Sequence, residues 1–105
     1  MLTSGKGKYK VWLKKQKIGK DFIYFLGGGE EPHIGAVVIC EPDKESRIIK
    51  LHGHYDYVVL KPIAEAACKK YKTKIVALGG IHIDNANKKE INKIVENCKI
   101  FVKKL

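Results

Sequence analysis

Short apolar segments that end at glycine-containing joints limit what this 105-residue chain can fold into. Residues 22–26, 34–40 and 75–78 are long enough for strands and too short for helices, because buried strands run for about 4–8 residues. Glycines follow the first and the last of these segments. Apolar residues alternate with lysines over residues 8–14, which predicts a half-buried strand, and residues 17–20 have the composition of a hairpin turn. The pattern predicts a sheet of short strands.

The sequence changes period after residue 56. Residues 58–70 place apolar side chains at helical spacing, and Asp56 is a candidate cap for that helix. Pro62 lies inside this segment, and proline is tolerated in the first turn of a helix but disrupts its interior. We therefore expect either a helix that starts near Lys61 or a helix that is kinked at Pro62.

The C-terminal segment has the strongest helical pattern. Asn87 and Glu90 are spaced as in a capping box, and apolar side chains follow at intervals of three and four up to Leu105. The predicted order is β-β-β-β-α-β-α, an α+β fold with a mainly antiparallel sheet and two helices packed on it. Residues 1–7 are expected to form a flexible N-terminal tail, and residues 8–105 a single domain.

The formal net charge of +10 could attract an anionic partner such as nucleic acid. Arg47 is the one arginine, whereas arginine is the usual residue for bidentate recognition of bases and phosphates. Tyr9 and Trp12 lie among lysines, but their opposite parity on a strand prevents a shared stacking platform. The many lysines and isoleucines resemble the bias of heat-adapted proteomes. A small basic nucleic-acid-binding protein is therefore an alternative with weak support.

The cysteines and the hydropathy pattern indicate a cytoplasmic location. Cys40, Cys68 and Cys98 form no C-x-x-C pair, so buried and reduced thiols are expected. The sequence has no apolar run long enough to span a bilayer, and its first residues have no signal-peptide core. We expect neither membrane insertion nor a structural zinc site.

A domain of this size buries a limited fraction of its unfolded surface, so self-association is expected. Val11, Phe22 and Tyr24, or the C-terminal helix, are candidates for the apolar surface of a homodimer.

All four histidines lie at glycine-containing joints of the chain. Glycine permits a positive φ or a close approach of the backbone, and histidine is suited to proton transfer, metal ligation or contact with an anion. We therefore predict one composite ligand-binding site, formed by Gly28, Gly29, His33, Gly35, His54, His82, Asp84 and Asn85. The alternative is that the glycines form turns and the histidines lie on solvated loops.

Known catalytic and nucleotide-binding motifs do not explain these joints. The glycines at 27–29 are followed neither by the Lys-Ser or Lys-Thr of a phosphate-binding loop nor by the helix of a dinucleotide fingerprint. His52 with His54, and His82 with Asp84, could supply metal ligands by type, so a small metal-dependent enzyme with a His/Asp site is a second alternative. The spacing fits no standard zinc motif, and we expect no metal. Neither serine lies in a nucleophile elbow, so no catalytic residue is assigned.

Four segments together resemble a known family. They are residues 33–37 (HIGAV), 53–56 (GHYD), 61–66 (KPIAEA) and 80–85 (GIHIDN). In this order they are similar to the small D-type subunit of gallate decarboxylase and its stand-alone relatives, and the resemblance covers residues 20–100. That family is described as a prenylated-flavin chaperone with a fold like that of the proteasome-assembly chaperones.

The resemblance implies an accessory protein rather than an enzyme. Such a protein would assist the maturation or flavin loading of a decarboxylase that depends on prenylated FMN, with prenylated FMN or FMN as its cofactor. The decarboxylase would be its partner, and the fold implies a dimer built on a sheet with flanking helices. The residues of the composite site would then contact the flavin.

Overall fold

The computed structural model describes residues 1–52 and 55–105. Within these ranges six strands form one sheet, and two α-helices pack against it. The elements in chain order are β1 (Leu2–Ser4), a 3₁₀ turn (Gly7–Tyr9), β2 (Val11–Ile18), β3 (Asp21–Gly28), β4 (Glu31–Cys40), β5 (Arg47–Lys50), α1 (Tyr57–Tyr71), β6 (Ile75–His82) and α2 (Lys88–Lys104). The predicted α+β class and the predicted order are confirmed, with β1 as an additional strand.

The N-terminal segment differs from the expected flexible tail. β1 pairs antiparallel with β2, and Leu2 lies opposite Leu13 and packs against the core. Ser4 is buried. The first long strand begins at Val11, because the 3₁₀ turn takes up the residues just before it. Residues 2–4 therefore form an edge strand that covers the outer side of β2.

The strand order is β1-β2-β3-β6-β4-β5. β2 and β3 form the predicted hairpin, whose turn contains Gly19 with a positive φ of 59°. β6 runs parallel to β3 and antiparallel to β4, and it separates these two strands. As a result the end of β6, which belongs to the predicted joint at residues 79–85, lies beside the end of β3 and the start of β4, which form the predicted joint at residues 27–35.

Helix α1 contains Pro62 in its interior. It begins at Tyr57, directly after Asp56, so the alternative of a start near Lys61 is wrong. The N–H that proline lacks would have bonded to the carbonyl of Val58. Val58 is itself exposed, so water can satisfy that carbonyl.

The predicted capping box of α2 is confirmed. The N–H of Glu90 donates to Asn87 Oδ1 at 2.8 Å, and the N–H of Asn87 donates to Glu90 Oε1 at 3.2 Å. Glu90 Oε2 also accepts from Lys8 Nζ and from the Tyr9 hydroxyl, each at 3.0 Å. The hydrogen bonds from Lys8 and from the Asn87 backbone hold the pKa of Glu90 below its usual value. The start of α2 is thereby joined to the N-terminal 3₁₀ turn.

The core lies between one face of the sheet and the two helices. Val11 and Tyr24 are among its fully buried residues, so they cannot supply the dimer surface that the sequence suggested. Phe22 is half-buried, with its ring centroid 5.0 Å from that of Tyr71. All three cysteines are buried and unpaired, as predicted. Neither helix in the described ranges is long and apolar enough to cross a membrane.

Phe101 anchors α2 in the core, and its replacement tests the packing. Phe101 is 0% exposed, whereas the neighbouring Ile100 is 41% exposed. We expect Phe101→Ala to lower the free energy of unfolding by about 3–5 kcal/mol, because the cavity cannot refill. Ile100→Ala is the matched control and should cost less than about 1 kcal/mol. Denaturant titration of both variants measures the difference, and equal losses would contradict this packing.

Candidate functional site

An irregularity in β4 turns His33 toward the helices. Pro32 pairs with Ile81 and Ala36 with Gly79, so β4 has extra residues between these two pairs. Regular alternation from Ala36 and Val38, which face the core, would place His33 on the opposite face of the sheet. A bulge redirects side chains in this way and is common beside functional sites.

The side chain of Asp56, at the start of α1, pairs with that of His33. The His33 Nε2 and Asp56 Oδ2 atoms are 3.0 Å apart, and both side chains are largely buried, at 22% and 12% exposed. The other carboxylate oxygen, Oδ1, accepts from the backbone N–H of Ile81 at 3.0 Å. Asp56 occupies the N-cap position but makes no side-chain capping bond. Its carboxylate instead joins α1 to β4 and β6.

Two glycines make room for the His33–Asp56 pair. A Cβ atom on Gly35 would collide with Asp56 Oδ2, and one on Gly80 would lie 2.5 Å from the His33 ring and 2.8 Å from the Asp56 carboxyl carbon. Gly79 has a φ of 125°, which non-glycine residues rarely adopt. Glycine is therefore required by sterics at 35 and 80 and by backbone conformation at 79.

A second histidine–carboxylate pair lies beside the first. His82 Nε2 is 2.7 Å from Asp84 Oδ1, and both side chains are exposed. The ring centroids of His33 and His82 are 5.8 Å apart. Glu30 positions this segment, because its N–H donates to the carbonyl of His82 at 2.8 Å and its Oε1 accepts from the N–H of Asp84 at 3.0 Å. Two imidazoles and two carboxylates thus lie close together at one end of the sheet.

These polar groups border an apolar cleft of about 290 Å³. The start of α1, the end of β6 and the first half of α2 form its walls. They contribute His33, Tyr55, Asp56, Val58, Val59, Ile81, His82, Ile83, Ala86, Ile91, Ile94 and Val95. Tyr55, at the rim, is 72% exposed, so the cleft opens to solvent. Apolar walls with a few polar groups at one end are typical of sites for small organic molecules.

The predicted site residues occupy different positions relative to this cleft. His33 and His82 line it, and Gly35 and Asp84 contact those histidines or their partner. Gly29 bridges to His82, and a Cβ there would lie 2.5 Å from the His82 carbonyl oxygen.

Two further predicted residues do not line the cleft, and a third lies outside the described residues. Gly28 lies against Val11 and the carbonyl of Lys10, so its close approach is to β2. Asn85 has a φ of 53° in the turn before α2 and does not line the cleft. His54 lies outside the described residues, so its part in the site stays a prediction.

Sequence reasoning missed several residues of the site. Asp56 carried a local signal, that of a helix cap, but its partners lie more than twenty residues away in both directions. Gly80 belongs to one of the predicted glycine-containing joints, but no local pattern indicated a role for it. The apolar walls from Val58 and Ile91 onward have the spacing of ordinary amphipathic helices, which gives no sign of a cleft.

The polar groups at the cleft form two histidine–carboxylate pairs rather than one cluster. Among residues 1–52 and 55–105, no three His, Cys, Asp or Glu side chains are placed to bind one metal ion. The imidazoles of His33 and His82 each have one ring nitrogen paired with a carboxylate, and an imidazole can take part in hydrogen bonding and proton transfer near neutral pH. The arrangement is suited to an aromatic ring that has polar atoms at its edge.

Comparison with known proteins identifies one family. The model of the "prenylated flavin chaperone LpdD-like domain" matches residues 5–105, nearly the whole chain. No curated protein gives a significant match.

A double-mutant cycle tests whether Gly35 makes room for Asp56. We expect Gly35→Ala to lower the free energy of unfolding by about 1–3 kcal/mol, because the new methyl group displaces the Asp56 carboxylate. In an Asp56→Ala background the same change should cost much less, with a coupling of at least about 0.5 kcal/mol. Chemical denaturation of the four proteins measures the coupling, and strictly additive losses would contradict this contact.

Proposed function

Because this chain belongs to the prenylated flavin chaperone LpdD-like family, we propose that its cleft holds the ring system of prenylated FMN or FMN during delivery to a decarboxylase. The protein has an accessory, flavin-loading role, as the resemblance implied, and is not itself the decarboxylase. The observation that carries the proposal is the apolar cleft bordered by the His33–Asp56 and His82–Asp84 pairs. Neither the family match nor the described geometry points to nucleic-acid binding or to metal-dependent catalysis.

The residues of the cleft fit a flavin in chemistry and in size. The aliphatic walls from α1 and α2 can cover the faces of a flat ring. The imidazoles can hydrogen-bond to polar ring atoms, because flavins carry carbonyl oxygens and ring nitrogens along one edge. A volume of about 290 Å³ is near the lower limit for organic-ligand sites, so a phosphate-bearing chain would extend toward the open rim. When bound, the flavin supplies the redox and electron-accepting chemistry that the partner enzyme uses.

His33 and His82 differ in how firmly their side chains are held. His33 is held by Asp56 and the neighbouring glycines, so its ring has a fixed position in the wall of the cleft. His82 is 44% exposed in its side chain and is paired with the exposed Asp84, so it can change partner as a ligand enters or leaves. A carrier has to release its ligand, and one rigid and one mobile contact serve that need. A cytoplasmic location fits this role, because unpaired cysteines are usual in a reducing compartment.

Substitution of the histidines tests flavin binding directly. Glutamine carries a donor and an acceptor but cannot place them where the imidazole ring does, and a displaced hydrogen bond should weaken the affinity for FMN, or for prenylated FMN, about tenfold. We expect this loss in His33→Gln and in His82→Gln, measured by quenching of flavin fluorescence. His52→Gln is the matched control, because His52 does not line the cleft. His82→Gln should also reduce activation of a co-expressed decarboxylase while the protein stays folded. Unchanged binding in both cleft variants would contradict the proposed site.

We place the proposed homodimer interface on the outer face of the sheet, which is the face opposite the two helices. In the described residues both helices pack on the other face, and the outer face presents apolar side chains across five strands. They are Trp12, Ile23, Phe25, Val37, Ile39, Ile49, Val76 and Leu78. A contiguous apolar patch of this kind usually marks an interaction surface. Two copies stacked through these faces would resemble a β-sandwich and would leave the histidine cleft open.

Leu78 lies near the middle of the outer face, so a charge there tests dimerisation. We expect the unaltered protein to sediment as a dimer at tens of micromolar, an order of magnitude suited to a moderate interface. Leu78→Glu should sediment as a folded monomer, because a carboxylate would be buried without a partner. Ile100→Glu is the matched control, because Ile100 is exposed on α2, on the other side of the sheet from the patch. A monomeric unaltered protein would contradict the dimer and would leave the flavin site unaffected.

A further inference from the structure

A second pocket lies at the opposite end of the helix layer from the histidine cleft. It measures about 530 Å³ and is lined by Leu2, Leu13, Lys14, Lys15, Tyr24, Tyr71 and Lys104, together with Met1 and Leu105. α1 extends for fifteen residues from the cleft end to Tyr71, so the two sites are about 20 Å apart. This second pocket shares no lining residue with the histidine cleft, so its ligand chemistry is independent of the proposed flavin site.

Tyr24 brings an unused hydrogen-bond donor to this pocket. The residue is 2% exposed, and its hydroxyl has no hydrogen-bond partner among the described residues. A buried hydroxyl without a partner is destabilising, so such groups are normally satisfied by a water or a ligand. Burial, and then the nearby Tyr71, raise the pKa of Tyr24 to about 12, so its hydroxyl remains a donor at neutral pH.

Lys15 brings an ammonium group that has no acidic partner in the described part of the chain. Its Nζ lies 4.1 Å from the ring centroids of both Phe22 and Tyr71 and donates to the Tyr71 hydroxyl at 3.1 Å. Because Tyr71 accepts from Lys15, its own hydroxyl proton is free to donate elsewhere. The hydrogen bond from Lys15 also lowers the pKa of Tyr71. The ammonium of Lys15 and two phenolic donors therefore belong to the same pocket, which Lys14 and Lys104 also line.

We propose that this pocket binds a small organic carboxylate. A carboxylate offers about four acceptor positions for one negative charge, which matches the ammonium of Lys15 and the hydroxyls of Tyr24 and Tyr71. Leu2 and Leu13 supply apolar surface for the body of such a molecule. Inorganic phosphate has no apolar body to contact Leu2 and Leu13, so a carboxylate that carries one should bind more tightly.

Benzoate is the probe, with benzamide as its uncharged analogue and inorganic phosphate as the competing anion. We expect benzoate to bind the full chain saturably with one site per chain in calorimetry, and benzamide and phosphate to bind at least tenfold more weakly. Tyr24→Phe should weaken benzoate about fivefold or more, and Lys15→Gln at least tenfold. Lys17→Gln removes the same charge from the same strand outside the pocket and should bind benzoate normally. FMN binding should be unchanged in all three variants.

The stability of Tyr24→Phe without benzoate provides a second readout. Removal of an unpartnered hydroxyl should leave the melting temperature unchanged or raise it. A lower melting temperature would show that the hydroxyl is satisfied within the folded protein, for example by a buried water, and would overturn the site. Absence of saturable benzoate binding, equal binding of benzamide, tighter binding of phosphate, or unchanged affinity in Tyr24→Phe would each overturn the proposal.

Discussion

The carboxylate of Asp56 is the contact on which the architecture of the histidine cleft depends. It lies at the start of α1 and bonds both to His33 in the β4 bulge and to the backbone of β6 at Ile81. Three elements that are far apart in sequence therefore meet at one side chain. The requirement for glycine at 35 and 80 follows from this contact, because any larger residue would occupy the space of the pair. His82 is the next residue after Ile81 on β6, so the same contact also sets the position of His82.

The proposed carrier role draws on two properties of this cleft, its paired histidines and its apolar walls. Each imidazole is paired with a carboxylate, and the remaining walls are aliphatic. Such a cleft offers apolar contact and two imidazole rings at its border. Among the described residues that line it, there is no serine or cysteine to act as the nucleophile that hydrolytic enzymes place beside a histidine. An accessory role in the transfer of a flavin is consistent with these properties and with the family to which the chain belongs.

The sequence predicted the parts of the fold whose signals are local. The hairpin at Gly19, the buried strands β4 and β6 and the capping box of α2 each depend on residues within one segment, and all are present. The strand β1 was missed, because three polar-flanked residues carry little pattern and gain their order from pairing with β2.

The candidate site was only partly predictable from the sequence, because only some of its signals are local. Glycine and histidine marked the joints at 33–35 and 80–82, and the fold brings those joints together. The bulge that turns His33 inward is set by a contact with Asp56, twenty-three residues away, and no local pattern encodes it. The apolar walls of the cleft are likewise produced by the packing of α1 against α2.

The placement of β6 between β3 and β4 has a consequence for how the chain acquires its structure. β3 and β4 follow each other in sequence, yet each bonds to β6, which comes after β5 and α1. Until residue 82 has been synthesised and has entered the sheet, two long apolar strands present unpaired edges. Exposed edges of this kind invite pairing with other chains. A protein that assists the maturation of another therefore passes through an interval in which its own half-built sheet is most prone to aggregation.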